Sequence, residues 1–273
     1  MTERFIDVPG GHLYSRTTGT GPDVVLLHAG AADSRMWDST VEWLAPIARV
    51  TTLDFRDMGL SSRATAPYSE VDDIAAVLDA AGIERAVVAG VSDGARRAVA
   101  FACAHPQRVA HVVAAGAVFG AFPDPTSQEA AARAELHAHF ARIVPLLESE
   151  GIAAYAAADI AMWGPALAPA DRRKMEALQI ANAYWIELPE SLGAALDPPV
   201  TSRFAEVTAP MDVIVGGHDL ASTRLWPAAW PTGRRKRRSS SCPAPTTSRC
   251  FPPAPTSNAS CAPPWRSSGG GRP

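Results

Sequence analysis

Five short runs of apolar and β-branched residues recur along the first 215 positions: Asp23–His28, Val50–Phe55, Ala86–Gly90, Val109–Ala114 and Met211–Val215. Each is nearly continuous in hydrophobicity and bounded by Gly, Pro or Asp. A strand with one wet face alternates apolar with polar. Runs this continuous belong to strands buried on both faces, as in a parallel sheet covered by helices. Helical patterns lie between most of them: over Glu70–Ala81, apolar Val71, Ile74, Ala75 and Leu78 fall at spacings of three and four. The alternation predicts an α/β architecture, a doubly wound, mostly parallel sheet with right-handed crossovers.

Between Pro125 and Pro210 the strand signals stop. Thr126 and Glu129 have capping-box spacing and predict an Ala-rich helix reaching about Leu147. Further helical patterns cover Gly151–Met162 and Pro169–Leu188. Because strand signals resume at Met211, the stretch of about 125–207 reads as a helical cap inserted into one domain. Such insertions commonly roof the crevice at the carboxyl edge of a sheet. Met162, Trp163, Tyr184 and Trp185 are candidates to line a pocket there, and equally candidates for the cap's own core.

Composition separates the chain into two unlike parts. From Trp226 to Pro273 there are 8 Lys/Arg and no Asp or Glu, leaving 17 basic and 28 acidic residues in 1–225. The same 48 residues hold 10 of the 24 Pro and no Leu, Ile, Val, Met or His. Lacking aliphatic side chains, they are expected to build neither a strand nor an amphipathic helix and to be disordered. The expected division is a domain over 1–225 and an aberrant tail over 226–273, with the last strand and helix of the fold missing. The basic run Arg234–Arg238 could pass for a polyanion-binding patch, but in these surroundings no nucleic-acid partner is expected. No apolar run approaches the roughly 18 residues of a membrane span. The N-terminus carries no apolar signal-peptide core, so a cytoplasmic location without membrane contact is expected.

The segment with the most chemistry in it is Gly90-Val91-Ser92-Asp93-Gly94, between the Ala86–Gly90 run and a helical stretch over Ala95–Ala104. A serine on so sharp a strand-to-helix turn needs small residues two positions either side, because the backbone doubles back on itself. Its hydroxyl then projects above the sheet edge, where helix-opening N–H groups favour negative charge.

With this segment the chain resembles the α/β-hydrolase superfamily, and the resemblance extends over most of residues 5–220. Leu26-Leu27-His28-Ala29-Gly30 resembles the family's His-Gly loop, with Ala29 departing from Gly. Asp54-Phe55-Arg56-Asp57-Met58-Gly59-Leu60-Ser61 resembles its D-x-R-G-x-G-x-S segment, with Asp57 in place of Gly. His105-Pro106-Gln107-Arg108-Val109 resembles the segment after the nucleophile helix. The resemblance implies Ser92 as nucleophile and the backbone N–H groups of Gly30 and Asp93 as oxyanion hole. It implies Asp219, in Gly216-Gly217-His218-Asp219, as the acid that orients a histidine; Asp124 is a weaker competitor, and a turn or helix-cap aspartate is the plainer reading of Asp219.

The histidine itself is absent where the resemblance requires it, since none follows His218. His28 and His105 belong to family motifs, and His111 lies in a buried-type strand. His12 precedes the strands, His137 and His139 lie in the insertion, and His218 neighbours the acid. The expectation is a serine hydrolase for a small-molecule carboxylic ester, lactone or similar acyl bond, with an incomplete relay. The alternative is a non-catalytic binding protein on the same fold. A carbon–carbon hydrolase or haloperoxidase-like activity would use the same residues, whereas a serine nucleophile argues against dehalogenase and epoxide hydrolase chemistry. Cys242, Cys250 and Cys261 lack metal-ligand spacing, and no cofactor motif is present, so neither metal nor cofactor is expected. Oligomeric state leaves no trace in the sequence.

One reading links the tail to the missing base. Taking GC-ended codons for Arg238–Ser248 and displacing the frame by one base gives Leu-Val-Val-Leu-Pro-Gly-Ala-Asp-His-Leu. That is a buried-type strand, a glycine loop and a histidine, so the tail is expected to be a frameshifted translation.

Overall fold

The structure is a computed structural model and describes residues 1–117, 119, 126–183, 192–195, 197, 199–229 and 239–242. A hairpin of β1 (Thr2–Val8) and β2 (Gly11–Thr18) opens the chain, followed by β3 (Asp23–Leu27), α1 (Asp38–Leu44), β4 (Arg49–Leu53), the short β5 (Tyr68–Ser69) and α2 (Glu70–Ala80). Then come β6 (Ala86–Val91), α3 (Asp93–Ala104) and β7 (Val109–Ala115). The cap helices are α4 (Ser127–Ile143), α5 (Leu146–Ser149), α6 (Ile152–Trp163) and α7 (Pro169–Ala181). After β8 (Gly193–Ala194) the chain re-enters the domain through β9 (Met211–Gly216), α8 (Ala221–Ala229) and β10 (Ser239–Cys242).

The main sheet has eight strands in the order β1-β2-β4-β3-β6-β7-β9-β10. β1 and β2, and β2 and β4, pair antiparallel; every pair from β4 onward is parallel. The period of two along β3 shows why its sequence is continuously apolar. Val25 and Leu27 enter a cluster with Ile74, Leu78, Val88, Phe101 and Val112. Val24 and Leu26 point the other way, to Trp37, Val41 and Leu44. All five expected strands are present within a residue or two, as is α2. The hairpin β1–β2 was not legible as such: its half-exposed pattern, with Phe5 62% exposed, gives no continuous apolar run.

The cap departs from expectation in two places. The Thr126–Glu129 capping box forms, the Thr126 N–H donating to Glu129 Oε2 at 2.7 Å. Its helix ends at Ile143, and Pro145, which has no N–H to donate, precedes the separate turn α5. The helix begun at Pro169 ends at Ala181 rather than Leu188; residues 184–191, with Tyr184 and Trp185, lie outside the described residues.

Of the segment 226–273, the structure describes the end of α8 and β10, so the disorder expected elsewhere in it falls outside the described residues. Where no strand was expected, β10 pairs parallel with β9, Ser239 opposite Val213 through Cys242 opposite Gly216. Ladder hydrogen bonds are made by backbone groups, so a serine run can pair at a sheet edge without aliphatic side chains.

Candidate active site

Ser92 joins β6 to α3 at φ 56°, ψ −116°, a conformation that a non-glycine residue holds only under strain. Its N–H donates to the Ala115 carbonyl at 2.9 Å, and its carbonyl accepts from Ala95 and Arg96 N–H, both at 3.1 Å, opening α3. The flanking glycines are steric necessities. A Cβ on Gly90 would run into the Gly94 carbonyl, and one on Gly94 into the carbonyls of Leu27 and His28. The turn therefore packs directly on the loop that carries Gly30, and a Cβ on Gly30 would stand 3.5 Å from the Cβ of Asp93. Among the described residues the half-buried Ser92 hydroxyl has no hydrogen-bond partner.

The loop bearing Gly30 is fixed by His28, which is fully buried. Its Nε2 accepts from the Phe55 N–H at 3.0 Å and its Nδ1 donates to the Ala29 carbonyl at 2.8 Å. A backbone N–H can only donate, so the ring is neutral with its proton on Nδ1. Burial holds its pKa below the usual imidazole range. Both ring nitrogens are committed, and His28 has no lone pair free to act as a base.

Asp54 and Asp33 tie the neighbouring turns together. Asp54 accepts from Ser34 and Leu60 N–H, both at 2.8 Å. Asp57, standing where the resemblance has Gly, adopts φ 66°, and its Oδ1 accepts from the Ala64 N–H at 2.9 Å. A short polar side chain that bonds locally is the kind that tolerates this region. Asn182, just past α7, donates to Asp33 Oδ2 at 2.8 Å and accepts from the Gly59 N–H at 2.7 Å. It pins the cap to the loops beside the site. No sequence pattern announced it, because its partners are 149 and 123 positions away.

Beside the Ser92 turn lies a compact charge cluster. Asp93 takes Arg96 Nε and Arg97 Nε, each at 2.7 Å, and Glu70 takes both guanidinium groups, Arg96 at 2.7 and 2.8 Å and Arg97 at 2.9 Å. Arg97 also lies 4.0 Å over the Phe55 ring. Burial pushes the Asp93 carboxyl up, but the charges of Arg97 and Arg96 outweigh it and hold the group well below the carboxylate range. Two carboxylates offset two guanidiniums, and both Asp93 carboxylate oxygens are committed to Arg96 and Arg97.

Asp219 stands past the carboxyl end of β9. Its Oδ2 accepts from the Gly216 N–H at 2.6 Å and lies 3.9 Å from where a Cβ on Gly116 would be, at the end of β7. Burial raises its pKa; the Gly216 bond and Arg224 pull the other way. Ser92 ends β6 and Asp219 follows β9, with β7 between them. Two interstrand spacings separate those chain ends, roughly 10 Å, on the same edge. Asp124 lies outside the described residues.

The other histidines have other surroundings. His111 pairs with Asp212 at 3.1 Å, and His105 stacks on Phe101 at 4.9 Å between ring centroids. His218 and His137 are exposed, while His12 meets Phe5 edge-on. His139 is buried in the cap, its Nδ1 accepting from Arg142 at 3.0 Å and its Nε2 3.8 Å from Asp159. A cavity of about 220 Å³ is lined by Glu135, Ala138, His139, Arg142, Met162 and Leu220, the residue after Asp219. Met162 thus faces a cavity between the cap and the loop of Asp219. Trp163 instead donates to Asp159 at 3.0 Å inside the cap. Among the described residues no group of His, Cys, Asp and Glu could hold a metal ion, and no helix is long and apolar enough to cross a membrane.

Comparison with known proteins agrees with this architecture. Residues 22–146 match the family described as alpha/beta hydrolase fold. Zearalenone hydrolase of Bionectria ochroleuca is 38% identical over 117 residues, 40% of this chain and 44% of that protein. The matched segment thus spans less than half of that relative. A putative carbamate hydrolase, RutD, of Caulobacter sp. (strain K31) is 28% identical over 226 residues, 79% of this chain and 78% of its own. The solved structure of a thermophilic esterase from Thermogutta terrifontis superposes with a TM-score of 0.66 at 22% identity, covering 88% of this chain and 90% of that one. The chain has the alpha/beta hydrolase fold.

Proposed function

We propose that the chain derives from a cytoplasmic hydrolase that opens a carboxylic ester, lactone or related acyl bond through Ser92. Ser92 Oγ would attack the acyl carbon, and the developing oxyanion would lie in the gap between Gly30 and Asp93, facing their N–H groups. Asp219 would orient and stabilise the imidazolium of a histidine that the chain lacks. The observation that carries the reading is the strained Ser92 turn, so tight that a Cβ on Gly90 would meet the Gly94 carbonyl and so close to the end of β3 that one on Gly94 would meet Leu27 and His28. Strain kept at one serine whose hydroxyl has no partner among the described residues is hard to account for by packing alone. The names of the relatives, a hydrolase, a putative carbamate hydrolase and an esterase, agree with acyl chemistry.

The second reading, a binding protein without turnover, is favoured by Asp219. Its carboxylate is satisfied by the Gly216 amide and has no imidazole beside it among the described residues. Incubation with a fluorophosphonate, followed by peptide mass analysis, separates the two. The hydrolase reading expects a slowly formed adduct confined to Ser92 and absent from Ser92→Ala. A folded protein that never gains this adduct would favour binding alone.

A further inference from the structure

We infer that the catalytic base and the closing strand of this fold are encoded in the gene but displaced by one base, from a point at or just before codon 226. Only the role given to the histidine rests on the serine-hydrolase reading above.

Two properties of the codons suffice, a third base of G or C and serines of the TC family. Lys supplies only two of the 25 basic residues, the rest being Arg, which is the usage of a GC-rich gene with codons ending in G or C. In the displaced frame each codon joins the third base of one codon to the first two of the next. With G or C as that third base, every Cys, Trp or Phe, and every Ser of the TC family, becomes Val or Leu. Every Thr becomes Asp or His, every Ala becomes Gly or Arg, and every Pro becomes Ala or Pro. Val, Leu, Asp and His, all absent from 226–273, are therefore restored by the displaced frame.

The structure adds a test of position. Ser239, Ser240, Ser241 and Cys242 form the longest such run in the tail, so the displaced frame reads four consecutive Val or Leu there. These four residues are the ones that make β10, in parallel register against Val213–Gly216. The displaced frame thus puts a buried-type strand where the backbone already forms one. Pro227 sits inside α8, where a proline has no backbone N–H to donate to the helix. Tryptophan has a single codon ending in G, so after Trp226 the displaced frame reads Ala at that place. Downstream, Ser257, Ser260, Cys261 and Trp265 all become Val or Leu, at spacings of three, one and four. That is one face of a helix, as expected after the last strand of a doubly wound sheet.

Thr246 and Thr247 each become Asp or His, four and five residues beyond β10. β10 runs parallel to β9, so its last residue, Cys242, lies at the carboxyl edge opposite Gly216, three residues before Asp219. In the displaced frame the histidine codon thus follows a strand that ends on the edge carrying Ser92 and Asp219, and we assign its imidazole the role of general base that the described residues do not fill.

The coding DNA over codons 220–273 decides the frame. The inference expects the displaced frame to stay open throughout, with TC-family serine codons at 239–241 and a histidine codon at one of the two Thr junctions. A stop codon in that frame, AG-family serine codons breaking the run, or no histidine codon would overturn it. A chain restored by adding one base at codon 225 then tests the role of the histidine. It should label with a fluorophosphonate at Ser92 on the order of 10³-fold faster or more than the 273-residue chain. Its rate should fall on acidification through the imidazole range, and replacing the recovered histidine by Ala should return it to the slow rate. If the DNA supports the frame and the restored, folded chain still does not label, the histidine is not a base and the hydrolase reading fails while the frame stands.

Discussion

Gly30 and Asp93 face each other across the mouth of the site, a Cβ on Gly30 coming within 3.5 Å of the Asp93 Cβ. That separation is ordinary van der Waals contact, and Gly30 does not have positive φ. Gly30→Ala should therefore change stability by no more than about 0.5 kcal/mol. Gly30→Val would fill the gap, and in a frame-restored chain it should slow Ser92 acylation by roughly 10²-fold, the effect of losing one oxyanion donor. Chemical denaturation and labelling rates on the same pair of variants check both statements.

The Ser92 turn leaves no such room. Gly94→Ala drives a methyl group into the backbone of Leu27 and His28, which cannot retreat without moving β3. A loss of about 3 kcal/mol is expected, at the upper end of overpacking effects. A urea midpoint unchanged from the parent would contradict the close packing of turn on loop.

Strain at Ser92 gives a prediction of opposite sign. At φ 56°, ψ −116° a glycine is far less hindered than any other residue. Ser92→Gly should stabilise the fold by about 1 kcal/mol, whereas Ser92→Ala, which keeps the Cβ, should leave stability nearly unchanged. Equal melting temperatures for Ser92→Gly and Ser92→Ala would show that the turn is not strained.

His28 sets a pH dependence. Burial holds its folded pKa below the unfolded value near 6.5, and His139 is shifted the same way, chiefly by burial. Below about pH 6.5 the unfolded chain takes up protons that the folded chain refuses. The stabilisation is complete above that pH and is lost on acidification, at up to about 1.4 kcal/mol per pH unit for each group, until the folded pKa is reached. Nitrogen NMR should show the His28 ring neutral, protonated at Nδ1, well below pH 6. An imidazolium forming near pH 6.5 in the folded state would contradict the bonds to Ala29 and Phe55.

What was legible in the sequence is what burial and sterics write locally. The five strands announced themselves because side chains on both faces are buried, and Gly90 and Gly94 because the turn admits nothing larger. Asn182, Glu70 and Arg97 were not legible. Each acts through partners distant in sequence, and a polar residue on a helix looks the same whether it faces water or a buried partner. The hairpin was missed because one of its faces is wet, and β10 because strand pairing needs only a backbone.

The central claim is that Ser92 is a nucleophile without its base, and small imidazole in solution can stand in for the missing ring. The rate of fluorophosphonate adduct formation at Ser92 in the 273-residue chain, measured against imidazole concentration near neutral pH, tests it most directly. The account predicts an imidazole-dependent acceleration of roughly 10²-fold, the lower end of a general-base contribution, with no adduct in Ser92→Ala. Rapid labelling without imidazole would mean that one of the described histidines already serves as base. No Ser92 adduct at any imidazole concentration, in a protein that remains folded, would contradict the account.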